Sequence, residues 1–158
     1  MLSSWLHVTA LVIYLGSLVG LWLIVLPALS AVKNPEERLL MLARGLKLYN
    51  PLQIGVLGLL VITGAFQITE LKSVYREFFA KELGIILGWK LVASFLLILL
   101  GTYQSMGLAH RFVRRYESGE SPSDQEFHFL CRRLRTSTLI ILPLALIASW
   151  LGLRLGRL

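Results

Sequence analysis

Two side chains that can donate a lone pair to a metal lie within apolar stretches of this sequence: His7 near its start and Lys90 in the segment Gly88-Trp89-Lys90-Leu91. A lysine at the centre of a membrane helix costs roughly 2.5–3.5 kcal/mol on insertion scales, so its ammonium group usually reaches the interface or has a partner. Burial in a low dielectric favours the neutral amine, which, like neutral imidazole, can bind a metal. The same lysine could instead transfer protons or bind an anionic substrate.

The elements that must position these residues are four apolar segments, each close to the length of about 20 residues that a helix needs to cross a bilayer. They cover roughly residues 4–29, 49–69, 83–108 and 136–153. The chain has 158 residues, of which 56% are hydrophobic and 16% charged, and this composition is typical of membrane proteins. The sequence therefore predicts an all-α, integral membrane four-helix bundle with up-down topology, in which residues 1–158 form a single membrane domain.

The basic residues predict how the bundle is oriented. Ten Lys and Arg residues lie in the stretches 31–48 and 109–135, whereas the stretch 70–82 and the C-terminal tail together carry five. By the positive-inside rule we expect a multi-pass protein of the plasma membrane with both termini outside the cytoplasm. Basic residues that face anionic lipids also account for the net charge of +7, so no nucleic-acid partner is expected.

In this orientation His7 and Lys90 lie at comparable depth in the outer leaflet. The third segment begins near Leu83, which puts Lys90 about seven residues, on the order of 10 Å, below the outer end. A four-helix bundle could hold a planar haem b between two such facing side chains. The other residues assigned to this site are tryptophans that would exclude water and basic residues that would pair with the propionates: Trp5, Trp89, Lys72, Arg76 and Arg154. A snorkelling lysine beside an interfacial histidine is the alternative.

Further patterns concern the basic side of the membrane. Asn34-Pro35-Glu36-Glu37 is typical of a helix start, and a second start is predicted at Asn50-Pro51. Residues 117–124 are hydrophilic and rich in turn formers, as in a linker. The three polar residues 103–105 are expected to hydrogen-bond between helices. A second candidate metal site combines the other two histidines with the single cysteine: His110, His128 and Cys131.

Scattered residues in the first three segments resemble a family pattern. They are His7, Tyr14, Gly16 and Leu26-Pro27 in the first segment, Thr63-Gly64 in the second, and Gly88-Trp89-Lys90-Leu91 with Tyr103 in the third. Together they resemble membrane proteins of the CopD-like copper-resistance group and the related four-helix HemJ-type protoporphyrinogen oxidases. The HemJ resemblance implies a membrane-bound haem b, oxidation of protoporphyrinogen IX and important roles for His7 and Lys90. In that version Lys90 is the catalytic residue near the substrate.

The predicted function is therefore that of a haem b-binding membrane redox protein, either catalytic with a porphyrin substrate or an electron carrier with a redox partner in the membrane. Copper handling of the CopD type is an alternative, although the Met and Cys ligands that Cu(I) favours are not clustered in this chain. A third possibility is a non-catalytic membrane subunit of a redox complex. As partners of the chain we expect further copies of itself or the other subunits of a complex. Visible absorption bands of the purified protein would separate these classes.

Overall fold

The computed structural model describes residues 2–74, 82–120 and 122–155. These residues form four long helices that run alternately up and down, which confirms the predicted all-α bundle. The first helix is Leu2–Ala31, the second Pro35–Val74 and the fourth Asp124–Leu155, while the third consists of the consecutive segments Glu82–Thr102, Tyr103–His110 and Arg111–Glu117. The end of the bundle that carries His7 is called the His7 end, and the opposite one the basic end.

The connections at the basic end are short because local capping interactions stop the helices. Asn34 accepts a hydrogen bond from the backbone N–H of Glu36 at 3.0 Å, as its position before Pro35 predicts. The third helix ends in a Schellman motif around Gly119, which has a φ of +84°. Ser123 and Glu126 then exchange side-chain to backbone hydrogen bonds in a capping box that opens the fourth helix.

Two predicted boundaries are wrong. Pro51 lies inside the second helix, so no new helix begins at Asn50-Pro51. Proline removes one backbone hydrogen bond, but this stretch buries Leu46, Tyr49 and Gln53, and that packing offsets the loss. Residues 109–135, which the predicted segments leave as a loop between the third and fourth spans, are mostly helical, because the third and fourth helices both extend beyond their apolar segments.

The bundle is built from two helix pairs. The first helix packs along the second, and the third packs along the fourth. Contacts between the pairs are densest at the basic end, where the third helix changes to π-helical geometry over Tyr103–His110. The main apolar core occupies this end and the middle of the bundle. A separate small cluster of Ile68, Ile86, Leu87 and Leu155 closes the His7 end.

Candidate functional site

His7 is held in place by the second helix. Its Nδ1 lies 2.8 Å from Thr63 Oγ1, and the Thr63 hydroxyl donates its own hydrogen to the Leu59 carbonyl at 2.7 Å. A hydroxyl whose hydrogen is engaged can only accept from the ring, so the proton of the neutral imidazole is assigned to Nδ1. The lone pair of Nε2 is then available to a ligand.

Glycines lie beside both candidate ligands. A Cβ atom at Gly64 would stand 3.5 Å from His7 Cε1, and one at Gly152 would stand 3.2 Å from Lys90 Nζ. The imidazole therefore packs on the second helix, while the lysine chain crosses to the fourth. Each donor is thus anchored within its own helix pair.

The structure brings His7 and Lys90 into one region, to which all four helices contribute. Both residues lie at the His7 end of the bundle, His7 against Thr63 and Gly64 of the second helix and Lys90 against Gly152 of the fourth. Ile68, Leu87 and Leu155, which close the His7 end, lie three or four residues beyond Gly64, Lys90 and Gly152 on their respective helices. The site is therefore a polar layer between the main core and this apolar cluster.

Those of the other assigned residues that the structure describes point away from the site. Trp5 is 73% exposed and Trp89 65%, so both rings face outward from the bundle instead of walling an interior pocket. The reason for Trp89 is helical geometry, because neighbouring residues point about 100° apart and Lys90 faces inward. Arg154 lies over the ring of Trp150 at 4.7 Å. Arg76 and the side chain of Lys72 lie outside the described residues.

The second candidate metal site does not form. In the part of the chain that the structure describes, no three His, Cys, Asp or Glu side chains are grouped to hold a metal ion. The His128 ring instead packs edge-on against Phe127. His110, His128 and Cys131 therefore do not assemble a site.

Each helix pair carries an apolar groove near its outer surface. The groove between the first and second helices has a volume of about 470 Å³ and includes Thr63, the partner of His7. The groove between the third and fourth helices has a volume of about 330 Å³ and includes Trp89, the neighbour of Lys90. Both grooves are open to the outside of the bundle and are lined mainly by apolar side chains.

A second polar layer, which we call the amide layer, crosses the bundle nearer the basic end. Ser17 donates to Gln53 Oε1 at 3.0 Å, Gln53 Nε2 donates to Tyr49 at 2.7 Å, and Tyr49 donates to Gln104 Oε1 at 3.4 Å. Gln104 Nε2 in turn donates to Thr138 Oγ1 at 2.7 Å. The predicted role of Gln104 in bonding between helices is confirmed, but its partners were not predicted. The spacing of Tyr49 and Gln53, one helical turn apart, is the signal in the sequence that could have indicated this polar face.

The two polar layers are in register within each helix pair. Ten residues separate His7 from Ser17, and ten separate their partners Gln53 and Thr63. On the other pair, fourteen residues separate Lys90 from Gln104. Fourteen residues also separate Gly152, the neighbour of Lys90, from Thr138, the partner of Gln104. The antiparallel register that aligns the amide layer therefore also sets a glycine-bearing face opposite each candidate ligand.

This fold and site define a multi-pass α-helical membrane protein with a polar site inside its bundle, embedded in a lipid bilayer. No family model, curated protein or solved structure matches the chain.

Proposed function

We propose that the chain is a haem b-binding redox protein of the plasma membrane, with His7 as an axial ligand through Nε2 and Lys90 as the group that faces it. The observation that carries the proposal is the hydrogen bond from His7 Nδ1 to Thr63, because it orients the ring and leaves the other nitrogen unprotonated. The distribution of basic residues supports an orientation with the His7 end outside the cytoplasm.

The donor set supports haem over copper. The described donors around the site are an imidazole, an amine and hydroxyl groups, whereas Cu(I) prefers thioether and thiolate sulfur. Haem iron commonly takes a histidine ligand, and helical bundles hold cofactors between facing helices. Gly64 and Gly152 let the two donors pack closely on the facing helices, and the apolar grooves suit a membrane-soluble substrate or redox partner.

Haem b supplies one-electron redox chemistry when it is bound. Thr63 holds the His7 ring, which raises the basicity of Nε2 and fixes its direction. The Lys90 amine, placed against Gly152, is the group that would transfer a proton or bind an anionic substrate. In a protoporphyrinogen-oxidase version of this function Lys90 is catalytic, whereas an electron carrier needs the ligands alone.

Haem content and visible spectra of the detergent-purified protein test the ligand assignment. We expect reduced haem b bands in the wild type and loss of haem in His7→Ala. Thr63→Val removes the acceptor of the Nδ1 proton and should lower haem affinity about 10–100-fold, the usual cost of losing such a partner. Thr69→Val is the matched control, because the Thr69 hydroxyl bonds only its own helix among the described residues, at 3.1 Å to Ala65.

Two further results separate the possible roles. Loss of protoporphyrinogen oxidation in haem-loaded Lys90→Met would support the catalytic version, while an unchanged spectrum in His7→Ala would refute the ligand assignment. Wild-type protein that binds copper and shows no haem bands would replace the proposal by copper handling. Wild-type protein that binds neither would be a non-catalytic subunit.

A further inference from the structure

Tyr14 connects the two helix pairs at a point between the candidate site and the amide layer. It follows His7 by seven residues, two helical turns along the same face of the first helix, and it is only 2% exposed. Its hydroxyl oxygen lies 2.8 Å from the position that a Cβ atom would take at Gly101 in the third helix. Leu57 of the second helix approaches the same position to 3.3 Å, so three helices meet at this glycine.

The hydroxyl group distinguishes Tyr14 from a phenylalanine, and its environment is unusual for a polar group. Among the described residues no group hydrogen-bonds to the Tyr14 hydroxyl, although the atom is buried. A buried hydroxyl without a partner is costly, so burial alone would favour phenylalanine. The hydroxyl group does, however, fill the space beside Gly101, where the absence of a side chain allows the end of the Tyr14 ring to contact the third helix.

Separation of the helix pairs determines the gap between the candidate ligands. The His7 ring is held against the second helix by Thr63, and the amine of Lys90, a residue of the third helix, lies against Gly152 of the fourth. The backbones that carry the two donors can therefore approach each other only through a change in how the pairs sit together. From the contact of Tyr14 with Gly101 we infer that Tyr14 is a positioning residue, which acts as a spacer between the helix pairs and so sets the gap between His7 and Lys90.

This inference rests on the proposed function for its haem readout. It is tested by adding atoms at Gly101 and removing the atom that they would meet at Tyr14. Gly101→Ala adds a methyl group where the Tyr14 hydroxyl lies, and we expect haem affinity to fall about tenfold, in line with the strain of overpacked cores. The double variant Gly101→Ala with Tyr14→Phe should recover most of this loss, because the nearest remaining ring atom, Cζ, is 3.9 Å from the new methyl position. Gly58→Ala is the matched control, since nothing lies within 4 Å of that Cβ position.

Tyr14→Phe alone removes the tip of the spacer without adding atoms. We expect it to retain haem with a shifted band position and midpoint potential, which a purely structural tyrosine would leave unchanged. Tyr103→Phe, whose hydroxyl bonds Arg133 at the exposed surface, should match the wild type in both readouts. If Gly101→Ala does not fold, an unchanged spectrum and potential in Tyr14→Phe overturn the inference by themselves.

A distance measurement decides the spacer role without haem. Spin labels at Val12→Cys and Leu146→Cys, in a Cys131→Ser background, report the separation of the first and fourth helices by pulsed electron paramagnetic resonance. We expect this distance to change in Gly101→Ala and to return in the double variant with Tyr14→Phe. An unchanged distance, or an effect equal to that of Gly58→Ala, would overturn the inference. A wild-type protein without haem would instead overturn the proposed function, and the distance measurement alone would then decide whether Tyr14 is a spacer.

Discussion

Replacing Gln104 by leucine should destabilise the bundle by about 2 kcal/mol. The side chain is 1% exposed and makes three hydrogen bonds, at 2.7 Å to Thr138, 3.4 Å to the Leu134 carbonyl and 3.4 Å from Tyr49. Hydrogen bonds between membrane helices contribute about 0.6 kcal/mol on average and at most about 1.7. The short bond belongs near the upper value and the two long bonds near the average or below it.

Leucine fills nearly the same volume, so the loss is one of hydrogen bonding and not of packing. Part of that loss is recovered, because Tyr49 keeps its bond from Gln53 and the Thr138 hydroxyl can turn to its own backbone, as Thr63 does. The assay is reversible unfolding in mixed micelles, followed by circular dichroism. Tyr103→Phe, one residue away, is the control and should stay within about 0.5 kcal/mol of the wild type, as surface changes usually do.

A double-mutant cycle shows whether the expected loss comes from the amide layer. Thr138→Val should cost less than Gln104→Leu, and the two changes together should cost less than the sum of their separate effects, since they remove the same bond. Gln104→Leu with wild-type stability, or strict additivity with Thr138→Val, would refute the view that this amide joins the third and fourth helices.

Three other predictions concern the site, the ion pairs and the orientation. Gly152→Val should displace the Lys90 amine, which lies 3.2 Å from the Cβ position, and should shift the haem spectrum while thermal stability changes little. Arg38→Met should lower the free energy of unfolding in micelles by about 1 kcal/mol, because the largely buried guanidinium pairs with Asp124 and stacks on the Phe127 ring. Lys47→Met breaks an exposed ion pair and should lower it by less than about 0.5 kcal/mol. A cysteine introduced at Ser118 should react with a membrane-impermeant thiol reagent only from the cytoplasmic side, and labelling from outside would reverse the proposed orientation.

The fold was largely predictable from the sequence because its strongest determinant is local. Apolar segments of bilayer length can satisfy their backbone groups only as helices when they lie in lipid. The cap at Asn34 is equally local. Helix ends beyond the membrane were predicted poorly, since Pro51 ends a helix by local rules but is retained here by packing against other helices.

The site was less predictable because it depends on the register between helices. The positions and alternating directions of the apolar segments predict that His7 and Lys90 lie in one leaflet, but which residues face them is decided by helix rotation. Thr63 and Gly64 were noted only as part of a family resemblance, and nothing in the sequence indicated that Gly152 lies beside the lysine. Trp89 was misplaced for the same reason, because an apolar residue next to an inward lysine must point toward lipid.

The amide layer provides a physical reason for that register to be unique. Apolar helices in lipid can slide or rotate at little cost, since lipid tails solvate leucine as well as another helix does. A helix that carries Gln53 or Gln104 cannot, because a shift by one residue turns the amide away from its partner and leaves it unsatisfied. Since the two layers are in register within each pair, a shift of one helix along its partner would also move Gly64 away from His7, or Gly152 away from Lys90. Hydrogen bonding in the amide layer thus helps to set the helix register at the candidate site, about 15–20 Å away along the helices.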